Sequence, residues 1–119
     1  MNYKSEYKKW FNCSYLGTEL KDELFKIKDD ENAIKDRFSN FVEFGTAGMR
    51  GTMGAGLNRM NIFTVRRTTI GVAKFIKSCN AEKKGVIITY DSRINSKEFA
   101  HYIADVLHLQ ANLLHSITN

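Results

Sequence analysis

At 119 residues, 43% hydrophobic and 26% charged, the chain holds one domain at most, of ordinary globular composition. No apolar run approaches membrane-spanning length, and Met1-Asn2-Tyr3-Lys4 leads into charged residues instead of a signal-peptide core, so a cytoplasmic protein with no membrane partner is expected. A net charge of +5 raises nucleic acid as a partner, but the lysines scatter over helical faces without an interleaved aromatic stripe, which reads as a solvated surface suited to an anionic small molecule.

Residues 1–40 read as a helical lead-in. Tyr3, Tyr7 and Trp10 recur at helical spacing, with Phe11 beside them. Thr18 is placed to cap a second helix, with Glu19 and Asp22 in its first turn and Leu20, Leu24 and Ile27 on its inner face. Asp30 caps a third, whose inner side holds Ile34 and Phe38. These aromatics read as packing residues. Cys13 and Cys79 lie far apart without metal-ligand spacing, so each is expected to be a reduced thiol. Asn12-Cys13-Ser14 matches a glycosylation sequon, which means little without secretion.

Residues 41–45 suit a short strand, and a second is expected around 51–54. Asn61 then caps a helix near 62–78, with Ile62, Val65, Val72, Ala73 and Ile76 along one stripe and Arg66, Arg67 and Lys74 elsewhere. Asn80 is a stop signal. The β-branched run Gly85–Tyr90 predicts a strand buried on both faces. Asn95 or Ser96 caps a helix near 97–109 that turns Phe99, Ile103, Val106 and Leu107 inward. This order predicts an α/β fold with a small mixed sheet flanked by helices. Residues 41–45 and 86–90 should pair in parallel, because a crossover helix joins them. Gln110–Ile117 lacks a glycine and alternates weakly, and Gln110, Leu114 and Ile117 would continue the last helix. On that helix His101, Asp105 and His108 share an outer face, but about 10 Å separates the two histidines, too far to share one ion. His115 has no partner that the sequence reveals, and no metal ligands are expected in this chain.

The most informative stretch is Phe44–Gly51, FGTAGMRG, followed by TMGAG over 52–56. Five of the eight glycines fall here. Gly51-x-x-x-x-Gly56 has P-loop spacing, but Leu57-Asn58 stands where Lys-Ser/Thr is required. Gly54-x-Gly56 is followed by Arg59 instead of a third glycine, so the dinucleotide fingerprint fails too. The residues alone leave two readings: an anion-binding turn presenting Arg50, or a tight hairpin between short strands. Asp91-Ser92-Arg93 follows the buried run at what would be a strand's carboxyl end, where ligands bind in open α/β sheets. Asp91 there either orients Arg93 or satisfies backbone donors of the turn.

FGTAGMRG together with Tyr90-Asp91-Ser92-Arg93 resembles the start of the α-D-phosphohexomutase superfamily, which includes the phosphoglucomutases and phosphomannomutases. The resemblance runs over about residues 3–107, through Trp10, Ile34–Phe38, the glycine-rich core with Asn58-Arg59-Met60-Asn61, and GVIITYDSR-x-x-S-x-x-FA. The lead-in is most similar to the bacterial phosphoglucomutase branch that also holds phosphopentomutase-like members.

The resemblance implies a lead-in over 1–40 and, over 41–119, a partial domain I. It implies that Arg50 is the catalytic-cleft arginine that stabilises a phosphoryl group carried by an active-site serine. Thr46, Gly48 and Gly51 would shape the loop that presents it, and Asp91 and Arg93 would line the cleft or brace the phosphate loop. Arg59 and Asn61 also match family positions, but capping explains Asn61. The implied reaction moves a phosphoryl group between the 1- and 6-positions of a hexose, or the 1- and 5-positions of a pentose, with Mg²⁺ assisting in the full-length enzyme. The family's serine loop and acidic metal loop are not among these residues. The chain is therefore expected to be the first part of a mutase, cut short by cloning, proteolysis or gene truncation, and inactive alone. The alternative is a non-catalytic phosphate- or sugar-phosphate-binding module, or a truncated relic.

Overall fold

The structure, a computed structural model, describes residues 2–46, 48–111 and 115–118. They form an α/β arrangement of five α-helices and two small sheets. By contacts the chain divides into two compact units, Met1–Thr64 and Val65–Asn119.

In the first unit, α1 (Tyr3–Phe11), α2 (Thr18–Lys26) and α3 (Glu31–Phe38) enclose an aromatic core. Asn2 caps α1 by accepting from the backbone N–H groups of Lys4 and Ser5 at 3.0 and 3.2 Å, and Asp30 caps α3 by accepting from that of Ala33 at 3.0 Å. Thr18 does not cap α2. It is the first helical residue, and Gly17 precedes it at φ 85°, a conformation that glycine adopts without strain but that leaves no side-chain cap. The expected inner faces hold. Leu24 and Phe38 are fully buried, and Tyr7 and Trp10 meet the Phe38 ring edge-on at 5.8 and 5.6 Å between centroids. Trp10 also packs on Phe63 at 5.3 Å. Edge-to-face pairs of this kind add about 1 kcal/mol each beyond area burial.

After α3 the chain forms a short antiparallel hairpin of β1 (Phe44–Gly45) and β2 (Gly48–Met49), with Phe44 opposite Met49 and Gly45 opposite Gly48. The second strand therefore lies earlier than the expected 51–54, where a single bridge from Met53 to Met60 is found. Gly54 and Gly56 take φ values of 149° and 127°, which turn the chain before a ladder can extend.

In the second unit, most of α4 (Ile62–Ser78) packs with β3 (Val86–Thr89) and α5 (Ser96–Ala111) around Ala73, Ile88, Ala100, Ala104 and Leu107. Asn80 ends α4 in the left-handed region at φ 54°, as expected of a stop residue. Four expectations need correction. The partner of β3 is β4 (His115–Thr118), paired in parallel, and no ladder among the described residues joins 41–45 to 86–90. The crossover helix α5 is long enough to return the next strand alongside β3, so the nearer segment wins the pairing. Residues 115–118 are accordingly strand, not a continuation of α5. Val86, Ile88 and Tyr90 face the helices, while Ile87 is 76% exposed, so the strand is covered on one face and not on two. On α4, finally, Ile62 and Val72 stay exposed while Val65 and Ala73 are buried.

Candidate functional site

The hairpin presents Arg50 immediately after β2. Gly48 sits at φ 107°, where an L side chain would be strained, so the glycine is required by backbone geometry. Gly51 has a different reason. A Cβ there would lie 3.2 Å from Val42 Cγ1 and 3.4 Å from Met60 Cγ, so the missing side chain lets three segments close together. Thr46 is exposed. Arg50 is exposed as well and lines a cavity of about 600 Å³ with Asn40, Phe41, Glu43 and Asn58. Among the described residues its guanidinium makes no ion pair or hydrogen bond. A planar cation with five free donors, in a cavity of small-ligand size, is equipped to take an oxyanion bidentately.

The other two arginines of this unit are engaged. Arg37 Nη1 donates to Glu23 Oε1 at 2.8 Å and to the Ala55 carbonyl at 3.1 Å, and Glu23 also accepts from the Ala55 N–H at 3.4 Å. Arg59 pairs with the Asp36 carboxylate and donates to the Asn58 carbonyl at 2.9 Å. Asn58 in turn donates its backbone N–H to Arg37 O at 3.0 Å and its amide to Asp36 O at 3.2 Å. The cavity wall opposite the hairpin is thus tied to the last turn of α3.

Gly54 and Gly56 are not ligand-facing. A Cβ on Gly54 would lie 2.8 Å from Glu23 Oε1, and one on Gly56 would lie 2.7 Å from Arg37 O. These glycines let backbone approach the lead-in helices. Asn61, 4% exposed, completes the knot: Nδ2 donates to Gly54 O and Gly56 O at 2.8 and 3.0 Å, while Oδ1 caps α4 by accepting from Phe63 N and Thr64 N at 3.0 Å each. Capping is therefore half of its role.

In the second unit, Asp91 both orients Arg93 and serves the turn. Oδ2 accepts from Arg93 Nε at 2.7 Å, and Oδ1 accepts from the Arg93 backbone N–H at 3.0 Å. The Arg93 side chain bonded to the carboxylate, helped by its backbone N–H, lowers the Asp91 pKa to about 2. The Asp91 N–H donates to Ser96 Oγ at 3.2 Å, which ties this turn to the start of α5.

Among the described residues no group of three or more His, Cys, Asp or Glu side chains could hold a metal ion. Asp91, the carboxylate nearest the strand end, is bonded to Arg93. His101, Asp105 and His108 are exposed along α5. Cys13 and Cys79 are free thiols. No helix among the described residues is long and apolar enough to cross a membrane.

None of the cavity residues Glu43, Asn40, Phe41 and Asn58 is singled out as a site residue by the sequence, although Asn58 lies in the Asn58-Arg59-Met60-Asn61 match. One signal was present: Glu43 and Arg50 flank the Phe44–Met49 pair in sequence, opposite charges on the two arms of the hairpin.

Comparison with known proteins bears on what this cavity serves. Residues 42–111 match a family model described as phosphoglucomutase/phosphomannomutase, alpha/beta/alpha domain I. The chain is similar to a phosphoglucomutase of Staphylococcus haemolyticus (34% identical over 99 residues, covering 74% of this chain and 18% of the relative). It is similar to a phosphoglucomutase of Staphylococcus saprophyticus (39% over 82 residues, 69% and 14%) and to a phosphoribomutase of Saccharomyces cerevisiae (34% over 88 residues, 74% and 14%). The chain thus spans less than a fifth of the length of these relatives. No solved structure gives a significant match.

Proposed function

We propose that this chain, which belongs to the phosphoglucomutase/phosphomannomutase family through its domain I, supplies the first part of a phosphosugar mutase. The proposed reaction interconverts hexose 1-phosphate and hexose 6-phosphate through a phosphoserine enzyme. The similarity to a phosphoribomutase supports a pentose phosphate as the close variant. Residues 1–40 form the lead-in and 41–119 the partial domain, in a cytoplasmic protein. Serine and magnesium ligands belong to sequence outside these residues.

The observation that carries this reading is Arg50: a guanidinium with no partner among the described residues, in a cavity, within the matched segment. Its role is electrostatic. The moving phosphoryl carries charge on its equatorial oxygens, and a donor fork held in place before the reaction stabilises that charge without reorganisation. Thr46, Gly48 and Gly51 shape the loop that presents it. Arg93, steered by Asp91, is a second candidate phosphate ligand, in the second unit.

The test is a titration of the ¹⁵N-labelled chain with inorganic phosphate. The Arg50 side-chain N–H signal should shift along a saturating binding curve, and Arg50→Ala should abolish the phosphate-dependent shifts of the Gly48 and Gly51 backbone amides. Shifts confined to exposed lysines would refute the assignment.

A further inference from the structure

Glu43 and Arg50 flank the Phe44–Met49 pair in sequence, one on each arm of the hairpin, and both line the same cavity. Opposite charges set directly across a hairpin stabilise it modestly when they pair. Here neither makes an ion pair or hydrogen bond among the described residues. The cavity therefore offers a cation and a carboxylate unbonded among the described residues, lined also by the amides Asn40 and Asn58 and by Phe41.

We propose that Glu43 is a specificity-determining residue of this cavity, selecting hydroxylated organic phosphates over inorganic phosphate. An ionised carboxylate only accepts hydrogen bonds. A bare phosphate dianion seated on Arg50 meets Glu43 as a like charge with nothing to give it. A phosphorylated polyol brings hydroxyl donors that satisfy the carboxylate while its phosphate takes the guanidinium. The Asn40 amide and the Asn58 carboxamide oxygen suit further hydroxyls. Asn58 is held for that purpose from behind by the Arg59–Asp36 pair and the last turn of α3. Repulsion of the wrong ligand and reward of the right one then come from a single side chain.

This inference rests on Arg50 as the anion anchor, and one experiment separates the two. Dissociation constants for glucose 1-phosphate and for inorganic phosphate are measured by following the Arg50 side-chain N–H signal, in the wild type and in Glu43→Gln and Glu43→Asp. Glucose 1-phosphate should bind severalfold more tightly than inorganic phosphate. Glu43→Gln should tighten inorganic phosphate binding and bring the ratio near one, and Glu43→Asp should keep the preference. An unchanged ratio in Glu43→Gln, with Arg50 still shifting, overturns the role of Glu43 alone. Absence of any Arg50 shift with either ligand in the wild type overturns the anchor and this inference with it.

Discussion

Arg37 Nη1 lies 2.8 Å from Glu23 Oε1, and the same two side chains hold both the carbonyl and the N–H of Ala55. This pair joins α2 and α3 to the glycine-rich turn that follows the Arg50 hairpin. The lead-in helices are thereby tied to the Ala55 backbone, three residues before the cavity residue Asn58.

Removing one partner leaves the other charge half-buried beside unsatisfied backbone groups. Arg37→Ala should destabilise the chain by about 2–3 kcal/mol. Urea unfolding measures it, and a loss below about 0.5 kcal/mol would show that the pair is a surface ornament.

Two glycine substitutions should act with opposite sign. Gly56→Ala forces a Cβ to 2.7 Å from Arg37 O at φ 127°, and should cost about 2 kcal/mol or more. Gly71 lies in the exposed middle of α4 with nothing within 4 Å of a Cβ, so Gly71→Ala should stabilise by about 0.5–1 kcal/mol. Thermal unfolding of both variants decides it, and equal effects would contradict the close approach at Gly56.

Asp91 gives a pH signature. Its carboxyl is held at about 2, below its ordinary 3.8, by the Arg93 side chain. A carboxyl depressed in the folded state adds stability above its unfolded value and loses it as pH falls through the folded value. The contribution is therefore present above about pH 3.8 and fades toward pH 2. Carboxyl ¹³C shifts should give a midpoint near 2 in the wild type and one moved up toward the ordinary value in Arg93→Gln. A midpoint unmoved by that substitution would show that the pair does not form in solution.

Much of the fold is legible in the sequence where side-chain chemistry is strong. The Asp30 and Asn61 caps, the Phe38-centred aromatic core and the left-handed Asn80 all follow from residue type and spacing. What escaped was set by backbone geometry or by partners distant in sequence. Gly17 displaced Thr18 as the cap because the turn before α2 needed a positive φ. Ala100 and Ala104, fully enclosed, carry too little apolar signal to mark the close approach of α5 to β3. The pairing of β3 with β4 depended on a tail whose alternation is weak. At the site, Arg50 stood out through its glycines, whereas Glu43 became visible only as a lining residue of the same cavity.

Residues 1–119 alone should show no mutase turnover. Phosphoryl transfer through an enzyme needs an activated nucleophile, and charge on the moving group must be offset. Assay of the purified chain with glucose 1-phosphate, Mg²⁺ and catalytic glucose 1,6-bisphosphate checks this. Turnover above a heat-killed control, abolished by Arg50→Ala, would reveal a nucleophile within these residues.

The most direct measurement is a transplant. Residues 42–111 replace the matching segment of the Staphylococcus haemolyticus phosphoglucomutase, and kcat is measured for glucose 1-phosphate with and without Arg50→Ala. The chimera should be active, and Arg50→Ala should lower kcat by about 100-fold or more while leaving the fold intact. A folded chimera without activity, or one indifferent to the loss of Arg50, would contradict a phosphosugar mutase domain built around that arginine.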